Sequence, residues 1–437
     1  MNEIVSNLLV YGSLPEDSIL WQLADICEKL KNQTESKDAL RGRVFHQVKN
    51  LLTVATDYAF DKNLWHNYLT FLLITNENPF SLVCEKMGAQ DGTVNNFVTH
   101  DFEMFKKLFD YDFSWMEKEL SIDCFTQLTH YQAIRKKELM YNKNVSEKVR
   151  NLSEQLETAE SGADFFKYVT EFYKDYGVGM FGLNKAFRIA ENGDGSVRFL
   201  PINNMDAVML DDLIGYELQK KKLVENTQAF CDGKAANNVL LFGDSGTGKS
   251  TSIKAIVNQF YPQGLRMIEI YKHQFKDLST IIAQIKNRNY KFIIYMDDLS
   301  FEEFEIEYKF LKAVIEGGVE TKPDNVLIYA TSNRRHLIKE TWKDREDMEH
   351  SEDLHRSDTM EEKLSLVNRF GLSIYYAKPN KEGFNEMAIA LARRAGITPD
   401  IMTDEEICYE ANRFEMRGGG LSGRTAQQFA NYLLTIK

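Results

Sequence analysis

The stretch that decides the fold is Leu240-Leu241-Phe242-Gly243-Asp244-Ser245-Gly246-Thr247-Gly248-Lys249-Ser250-Thr251. It contains a glycine, four further residues and then Gly-Lys-Ser, which is the spacing of a phosphate-binding P-loop. The apolar run from Val239 to Phe242 predicts a buried parallel strand. The residues after the loop predict a helix with one apolar face, formed by Ile253, Ile256, Val257 and Phe260. A strand, a glycine-rich loop and a helix, in this order, are the structural context that a P-loop needs.

The glycines of this loop permit backbone angles that other residues avoid. Successive N–H groups can then face phosphate oxygens at the N-terminus of the following helix. We expect Lys249 to reach the β- and γ-phosphates of a nucleotide and Ser250 to hold Mg²⁺. The expected nucleotide contacts of the loop are Gly243, Asp244, Ser245, Gly246, Thr247, Gly248, Lys249, Ser250 and Thr251.

Length, charge and cysteine content restrict the class of protein. A chain of 437 residues is long enough for about three domains. No apolar run approaches the roughly 18 residues of a membrane span, and the N-terminus lacks the positive charge of a secretory signal. The five cysteines lie far apart, which favours free thiols in a reducing cytoplasm. The net charge of −12, most of it in residues 1–195, disfavours non-specific binding to nucleic acid.

Three domains are expected. Helical periodicity dominates residues 1–195 and predicts an all-α N-terminal domain with an adaptor or regulatory role. An aromatic stripe in residues 164–176 is expected to belong to its core. A short strand is expected at Val197–Pro201, before residues 205–378, which are expected to form an α/β nucleotide-binding domain. Residues 379–437 predict three helices, a lid that can move as one body when a nucleotide is hydrolysed.

Four strands are expected after the P-loop, and two carboxylates follow the second of them. Asp297 is expected to hold Mg²⁺, which is a hard cation that takes oxygen ligands, and Asp298 to polarise the attacking water. Asn333 follows the next strand and would lie beside them, because parallel strands end at one edge of the sheet. Capping of the next helix is the alternative role of such carboxylates, and a simple turn that of Asn333. The expected strand segments are 266–270, 291–298 with the two carboxylates at its end, 325–333 with Asn333 at its end, and 372–376.

The motifs occur in the order found in the AAA+ ATPases. They are Asp212 to Gly215, the P-loop, Asp297-Asp298, Thr331-Ser332-Asn333, Asn368-Arg369-Phe370-Gly371 and Ser422-Gly423-Arg424. Three segments more closely resemble one bacterial AAA+ branch of ATP-binding proteins, catalogued only as a domain of unknown function: 297–302, 329–337 and 362–366. The resemblance covers about residues 180–437 and reaches the N-terminal helices only loosely.

The resemblance implies an α/β fold, an AAA+ P-loop core with a five-stranded parallel sheet in the order 5-1-4-3-2, followed by a helical lid. It implies ATP and Mg²⁺ as ligands. It also implies a homo-oligomer, commonly a hexameric ring, with ATP at the subunit interfaces. Ile214 and Gly215 are implied nucleotide contacts.

Further roles follow from the resemblance residue by residue. Asn333 resembles the sensor-1 asparagine, and Arg424 the sensor-2 arginine of the lid. Arg369 resembles an arginine finger that acts on the nucleotide of a neighbouring subunit. A helix-capping cation is the alternative for Arg369, and a surface cation for Arg424. Most AAA+ proteins have Asp-Glu where this chain has Asp297-Asp298, so the nearby Glu302 and Glu303 are alternatives for polarising the water.

The first functional hypothesis is an oligomeric motor or switch that hydrolyses ATP and remodels an unknown macromolecule. The second is a nucleotide-gated scaffold that hydrolyses slowly and recruits a protein partner through its N-terminal helices. A DNA-associated loader is possible but is not favoured by the negative charge. Turnover of the isolated protein separates the first two hypotheses, and salt-dependent stimulation by DNA would support the third.

Overall fold

The computed structural model describes residues 1–133, 143–193, 195–203, 205–301, 307–316, 323–333, 367–416, 418 and 420–436. Within these ranges the chain divides into two compact units, Met1–Asn184 and Lys185–Lys437. Among the described helices, none combines the length and the apolar character that a membrane crossing requires.

The first unit is helical wherever it is described as regular structure, apart from one isolated bridge between Lys62 and Tyr131. Its core is rich in aromatic side chains, and it includes the predicted stripe, because Phe165, Val169 and Tyr173 are fully buried. Its helices are α1 (Asn2–Val5), α2 (Ile19–Asn32), α3 (Lys37–Tyr58), α4 (Leu64–Thr75), α5 (Pro79–Met87), α6 (Val94–Phe109), α7 (Ser114–Leu120), α8 (Cys124–Thr129), α9 (Lys143–Glu157), α10 (Gly162–Tyr176) and α11 (Gly179–Leu183).

The second unit combines a sheet with helices. Its strands are β1 (Ala186–Glu191), β2 (Val197–Pro201), β3 (Val239–Gly243), β4 (Leu265–Glu269), β5 (Lys291–Met296), β6 (Val326–Ser332) and β7 (Leu372–Tyr376). Its α-helices are α12 (Glu217–Cys231), α13 (Lys249–Phe260), α14 (Leu278–Ile285), α15 (Glu307–Glu316), α16 (Lys381–Arg394), α17 (Asp404–Glu415) and α18 (Gly423–Ile436). Short 3₁₀ helices span Leu210–Asp212, Tyr261–Gln263 and Lys272–Asp277.

The sheet has seven strands in the order β2-β1-β4-β5-β6-β3-β7, so the expected number of five is wrong. Neighbouring strands run parallel, except that β1 and β2 are antiparallel. Counted from the edge strand β7, the five strands after residue 238 lie in the order β7, β3, β6, β5 and β4, and β1 and β2 extend the sheet beyond β4. Strand β6, which lies between β5 and β3, is buried along its whole length, as expected for a parallel strand covered on both faces.

The two additional strands explain why the helical unit ends at Asn184 rather than at residue 195. Strand β1 pairs in parallel with β4, with Ala186 opposite Met267, and therefore belongs to the sheet of the second unit. Along β1 the side chains of Phe187 and Ile189 are buried while Arg188 between them is exposed. This alternation is typical of a strand, and it is too short to stand out beside the helical pattern that precedes it.

Three helices follow the sheet, as the sequence predicts for residues 379–437. They share a small apolar cluster that includes Phe384, Ala388, Ile407 and Phe429. Thr403 caps α17 in a reciprocal capping box with Glu406, and the hydroxyl of Ser422 accepts a hydrogen bond from the N–H of Thr425 at the start of α18. These three helices, called the lid below, therefore form a compact bundle with its own core.

Candidate functional site

The glycine-rich loop joins the end of β3 to the start of α13. Gly243, Gly246 and Gly248 all have positive φ, at 133°, 78° and 89°. A Cβ on Gly243 would lie 2.1 Å from the carbonyl oxygen of Tyr376, so no other residue fits there without a shift of the backbone. The conformation of the loop therefore depends on glycine at Gly243 and Gly248, which the motif specifies, and at Gly246, which it does not.

Lys249 lies at the first position of α13 and its side chain turns back over the loop. Its ammonium group donates to the carbonyl oxygens of Gly243 at 2.9 Å and Asp244 at 2.6 Å, and to Asn333 Oδ1 at 3.0 Å. Burial lowers the pKa of Lys249 below its ordinary value of 10.5, and nearby carboxylates only partly oppose this effect. The loop thus holds a partly desolvated cation within reach of the ends of β5 and β6.

Asp297 follows β5 and receives two hydrogen bonds from hydroxyl groups. Ser250 Oγ donates to Asp297 Oδ1 at 2.7 Å, and Thr331 Oγ1 donates to the same oxygen at 2.6 Å. Asp297 is exposed to the cavity, and its partial withdrawal from water acts to raise its pKa, but the hydrogen bonds from Thr331 and Ser250 outweigh this effect and hold the pKa below its ordinary value of 3.8. Asp297 is therefore held as an anion beside the hydroxyl of Ser250, and together they offer two oxygen ligands.

Asp298 adopts a backbone conformation that is unusual for a residue other than glycine, with φ of 51°. Such a conformation costs on the order of 1 kcal/mol, although aspartate tolerates it better than most residues. Its N–H donates to Thr331 Oγ1 at 2.9 Å, and its Oδ1 accepts from Asn333 Nδ2 at 2.8 Å. These two contacts from the end of β6 hold the carboxylate of Asp298 next to that of Asp297.

A cavity of about 630 Å³ opens where these groups meet. Most of the predicted site residues line it: Ile214, Ser245, Gly246, Thr247, Gly248, Lys249, Ser250, Thr251, Asp297, Asp298, Asn333 and Arg424. Three predicted contacts do not. Gly243 ends β3, Asp244 accepts a hydrogen bond from the N–H of Lys378, and Gly215 lies against Met387.

The lid contributes Arg424 to this cavity from the first turn of α18. The N–H of Arg424 donates to the carbonyl oxygen of Gly246 at 3.2 Å. A Cβ on Gly246 would lie 3.1 Å from Ser422 Oγ and 3.2 Å from the Cβ of Arg424, so the lid contacts the loop closely. The guanidinium of Arg424 thus belongs to the same cavity as Lys249.

Arg369 is the one predicted catalytic residue that the structure does not bring to the cavity. It lies three residues before β7, and the first residue of β7 pairs with Val239 at the beginning of β3. The loop follows the C-terminal end of β3, whereas Arg369 lies near the N-terminal ends of β3 and β7. Glu302 and Glu303, the alternatives to Asp298, lie outside the described residues.

Residues 183–436 match a family model described as "Protein of unknown function (DUF815)". The chain belongs to this family. The match confirms the resemblance to a family catalogued as a domain of unknown function, and it covers the sheet, the cavity and the lid together. No match was found among the curated proteins.

Solved structures that resemble this DUF815 chain include a mutant of Thermotoga maritima RuvB, with 17% identity and a TM-score of 0.36 over 52% of this chain and 66% of that one. A second mutant of Thermotoga maritima RuvB has 15% identity and a TM-score of 0.32, over 52% of this chain and 71% of that one. Caenorhabditis elegans PCH-2 has 18% identity and a TM-score of 0.33, over 52% of this chain and 65% of that one. The chain thus spans about two thirds of these proteins, and values this low indicate nothing about its activity.

Several cavity residues of this DUF815 chain have no role in the sequence-based prediction. Thr331 is part of a quoted motif, but its hydroxyl joins the carboxylate of Asp297 to the backbone N–H of Asp298, a function that no local pattern indicates. Met387 and Leu391 of α16, and Gln427 and Gln428 of α18, also line the cavity. Helical spacing offers a signal, because residues four apart share a face of a helix, but it does not tell which face meets the sheet.

Proposed function

We propose that this chain binds ATP with Mg²⁺ and hydrolyses ATP to ADP and phosphate, as an AAA+ ATPase that works in a homo-oligomer. The observation that supports this most directly is the meeting of Lys249, the Ser250–Asp297 pair, Asp298 and Arg424 in one cavity. Cations for phosphate oxygens, hard oxygen ligands for a metal and a carboxylate for water are the groups that phosphoryl transfer uses.

The phosphate end of the proposed site is the loop of Gly246 and Gly248. Both glycines have positive φ, and neither has room for a larger residue without displacing a neighbour. Such a loop at the N-terminus of a helix of twelve residues, α13, fits an anion with several oxygens. Lys249 and Arg424 would neutralise phosphate charge from the core side and from the lid side.

The metal would be held by Ser250 and Asp297, whose oxygens already lie 2.7 Å apart. Oxygen donors of this kind, one of them anionic, match the preference of Mg²⁺. When bound, Mg²⁺ would neutralise charge that develops on the phosphate oxygens. Thr331 keeps the carboxylate of Asp297 in place through its hydroxyl.

Asp298 is proposed to accept a hydrogen bond from the attacking water and to receive its proton. Asn333 orients that carboxylate through Nδ2 and is tied to Lys249 through Oδ1. Asn333 would in this way connect the group that contacts phosphate with the group that activates water.

Arg369 is proposed to complete the site of a neighbouring copy. Its position near the N-terminal ends of β3 and β7, away from the loop of its own chain, supports a role between subunits. A guanidinium supplied from outside can stabilise the charge of the transition state. This is the basis on which we propose the oligomer, with a ring as its simplest closed form.

The proposed setting is the cytoplasm. All five cysteines are free thiols in the structure. Burial raises the pKa of Cys84, Cys124 and Cys231 to about 11, which makes these thiols poor nucleophiles. Free and unreactive thiols are compatible with a reducing compartment.

The experiment that tests the proposal is the binding of a fluorescent ATP analogue, followed by the ATPase rate per protomer against protein concentration, with Mg²⁺ present. Lys249→Ala should weaken binding by at least about 100-fold, since it removes the cation from the loop. Unchanged affinity would show that the loop is not the nucleotide site.

A rate per protomer that rises with concentration and then levels off would support sites completed by self-association. A low rate that is independent of concentration would instead favour the slow nucleotide-gated scaffold. The search would then turn to the partner that residues 1–195 recruit.

A further inference from the structure

One wall of the cavity is a short segment before α12, here called the strap and defined as residues 210–216. The strap packs on two bodies at once. Leu210 and Leu213 belong to the core of the sheet, Ile214 packs against the apolar cluster of the lid, and Tyr216 contacts both. The position of the strap therefore depends on the core and the lid together.

The lid grips the strap through Arg394, near the end of α16. Arg394 Nη1 donates to the carbonyl oxygen of Asp212 at 2.7 Å, and Nη2 donates to that of Asp211 at 2.8 Å. The carboxylate of Asp212 lies 3.7 Å from Nη1 and adds charge to this contact. A planar guanidinium that binds two successive carbonyls fixes both the position and the direction of the backbone.

The same face of α16 continues along the strap. Met387, Leu391 and Arg394 follow one another at helical spacing, and the first two line the cavity. A Cβ on Gly215 would lie 3.5 Å from Met387 Cε, which is ordinary van der Waals contact. The strap and the helix thus form one seam, apolar toward the cavity and closed by Arg394 at its end.

The core holds the other side of the strap. Lys220 Nζ donates to the carbonyl oxygen of Leu213 at 2.8 Å, and the hydroxyl of Tyr216 donates to that of Ala377 at 2.9 Å. Leu213 Cδ2 would lie 3.1 Å from a Cβ on Gly248, so the strap also adjoins the glycine-rich loop. These contacts fix the strap to the sheet but leave its grip on the lid to Arg394 and the apolar seam.

We propose that Arg394 is a positioning residue that aligns the strap with α16 to form the nucleoside end of the cavity. This inference rests on the proposed function, because it assumes that the loop end of the cavity takes the phosphates. Ile214, Met387 and Leu391 provide the apolar surface that a flat base and its sugar can bury. Loss of the two hydrogen bonds from Arg394 to the strap should therefore weaken binding of the nucleoside and leave binding of the phosphates unchanged.

The test compares ATP with inorganic tripolyphosphate, which has the phosphates but no nucleoside, in direct binding measurements on the full chain. Arg394→Met should weaken ATP binding about tenfold, because the strap loses both hydrogen bonds that align it with α16, and leave tripolyphosphate binding within twofold. Arg394→Lys should fall between, since an ammonium cannot bind both carbonyls in the plane of a guanidinium. Arg413→Met is the matched control, because Arg413 is an exposed lid arginine that pairs with Glu410 on its own helix.

An equal loss for ATP and tripolyphosphate, or no loss for either, would overturn the proposal. Hydrogen exchange in residues 211–216 gives a second measurement that needs no ligand. Exchange should be faster in Arg394→Met than in the wild type, and it should be unchanged in Arg413→Met. Unchanged exchange in Arg394→Met would also overturn the proposal that Arg394 holds the strap. Failure of the wild type to bind either ligand would refute the proposed function instead, and exchange would still decide whether Arg394 holds the strap.

Discussion

Buried polar side chains serve different ends in the two units. In the first unit, the fully buried carboxylate of Asp101 accepts hydrogen bonds from the N–H groups of Leu9, Val10 and Tyr11 at 2.8–2.9 Å. The hydroxyl of Tyr173 donates to the carbonyl oxygen of Leu73 at 2.6 Å. These side chains satisfy backbone groups of distant segments, so their role is to hold the chain together.

In the second unit, the polar groups of the cavity bind mainly to one another. Lys249, Asn333 and Asp298 form a continuous chain of hydrogen bonds, and Thr331 connects Asp297 with the backbone of Asp298. The arrangement includes a lowered lysine pKa and a left-handed aspartate, which both cost stability. The comparison teaches that a functional site is recognised by polar groups that converge and carry strain, whereas burial of polar groups alone indicates a structural role.

The largest expected effect concerns Arg369, the one predicted catalytic residue that does not line the cavity. Arg369→Ala should keep ATP affinity and lose about 10³ in hydrolysis rate, since a missing arginine finger leaves transition-state charge unbalanced. Mixing it with Lys249→Ala protein should restore part of the activity, because mixed interfaces pair an intact loop with an intact arginine. Arg413→Ala serves as the control arginine, and a rate that no mixture restores would contradict the role between subunits.

A smaller effect is expected for substitution of Asp101, the buried carboxylate that holds backbone N–H groups in the first unit. Asp101→Ala leaves the N–H groups of Leu9, Val10 and Tyr11 without their acceptor, the last of them buried, and should lower the free energy of unfolding by about 3 kcal/mol. Urea unfolding followed by tryptophan fluorescence measures this, because Trp21, Trp65 and Trp115 lie in the first unit. ATP affinity should not change.

The exposed Asp175 in the same unit provides the matched variant, Asp175→Ala. Its free energy of unfolding should stay within about 0.5 kcal/mol of the wild type. A loss for Asp101→Ala no larger than this, or a parallel loss of ATP affinity, would remove the distinction between the two units.

Asp298 tests whether strain in the second unit serves catalysis. Asp298→Asn should lower the hydrolysis rate about 100-fold by removing the proton acceptor, while ATP affinity stays within twofold. Stability should be unchanged, because asparagine also tolerates positive φ. The measurement is single-turnover hydrolysis beside thermal unfolding. Full activity in this variant would assign the water to another carboxylate, and Glu302 and Glu303 would be substituted next.

The sequence was sufficient for the parts of the site that depend on local chemistry. Glycine spacing predicts the loop around Lys249, and an apolar run that ends in carboxylates predicts β5 followed by Asp297, since each signal lies within about ten residues. Thr331 and Arg394 act on residues 33 to 183 positions away, and only the folded chain shows which partners they meet.

The number of strands was missed for a related reason. Strands β1 and β2 precede the loop. The short strand expected at Val197–Pro201 is β2, but β1 was not expected, and local patterns of five or six residues cannot indicate that β1 joins the sheet beside β4 and β2 beside β1. Pairing between distant strands is set by tertiary packing, which local periodicity does not encode.

The smallest expected effect is on the pH dependence of stability, through Asp297. Its pKa in the folded state lies below the ordinary 3.8, so the unfolded chain binds more protons in the window just below that value. The stabilisation by Asp297 is thus fully present above pH 3.8 and is lost as the pH falls through the folded-state pKa. Because the residue is exposed on the cavity wall, solvent screening should keep the effect below about 0.5 kcal/mol.

Asp297→Asn should therefore show a shallower fall in thermal midpoint than the wild type as the pH drops below about 4, since asparagine has no proton to gain there. Calorimetry of the full chain at closely spaced pH values would resolve the difference in slope. Asp400→Asn, which replaces an exposed aspartate outside the cavity, should keep the wild-type slope. Identical slopes for Asp297→Asn and the wild type would mean that the hydroxyls of Ser250 and Thr331 do not stabilise this anion, and the metal ligand would have to be sought elsewhere.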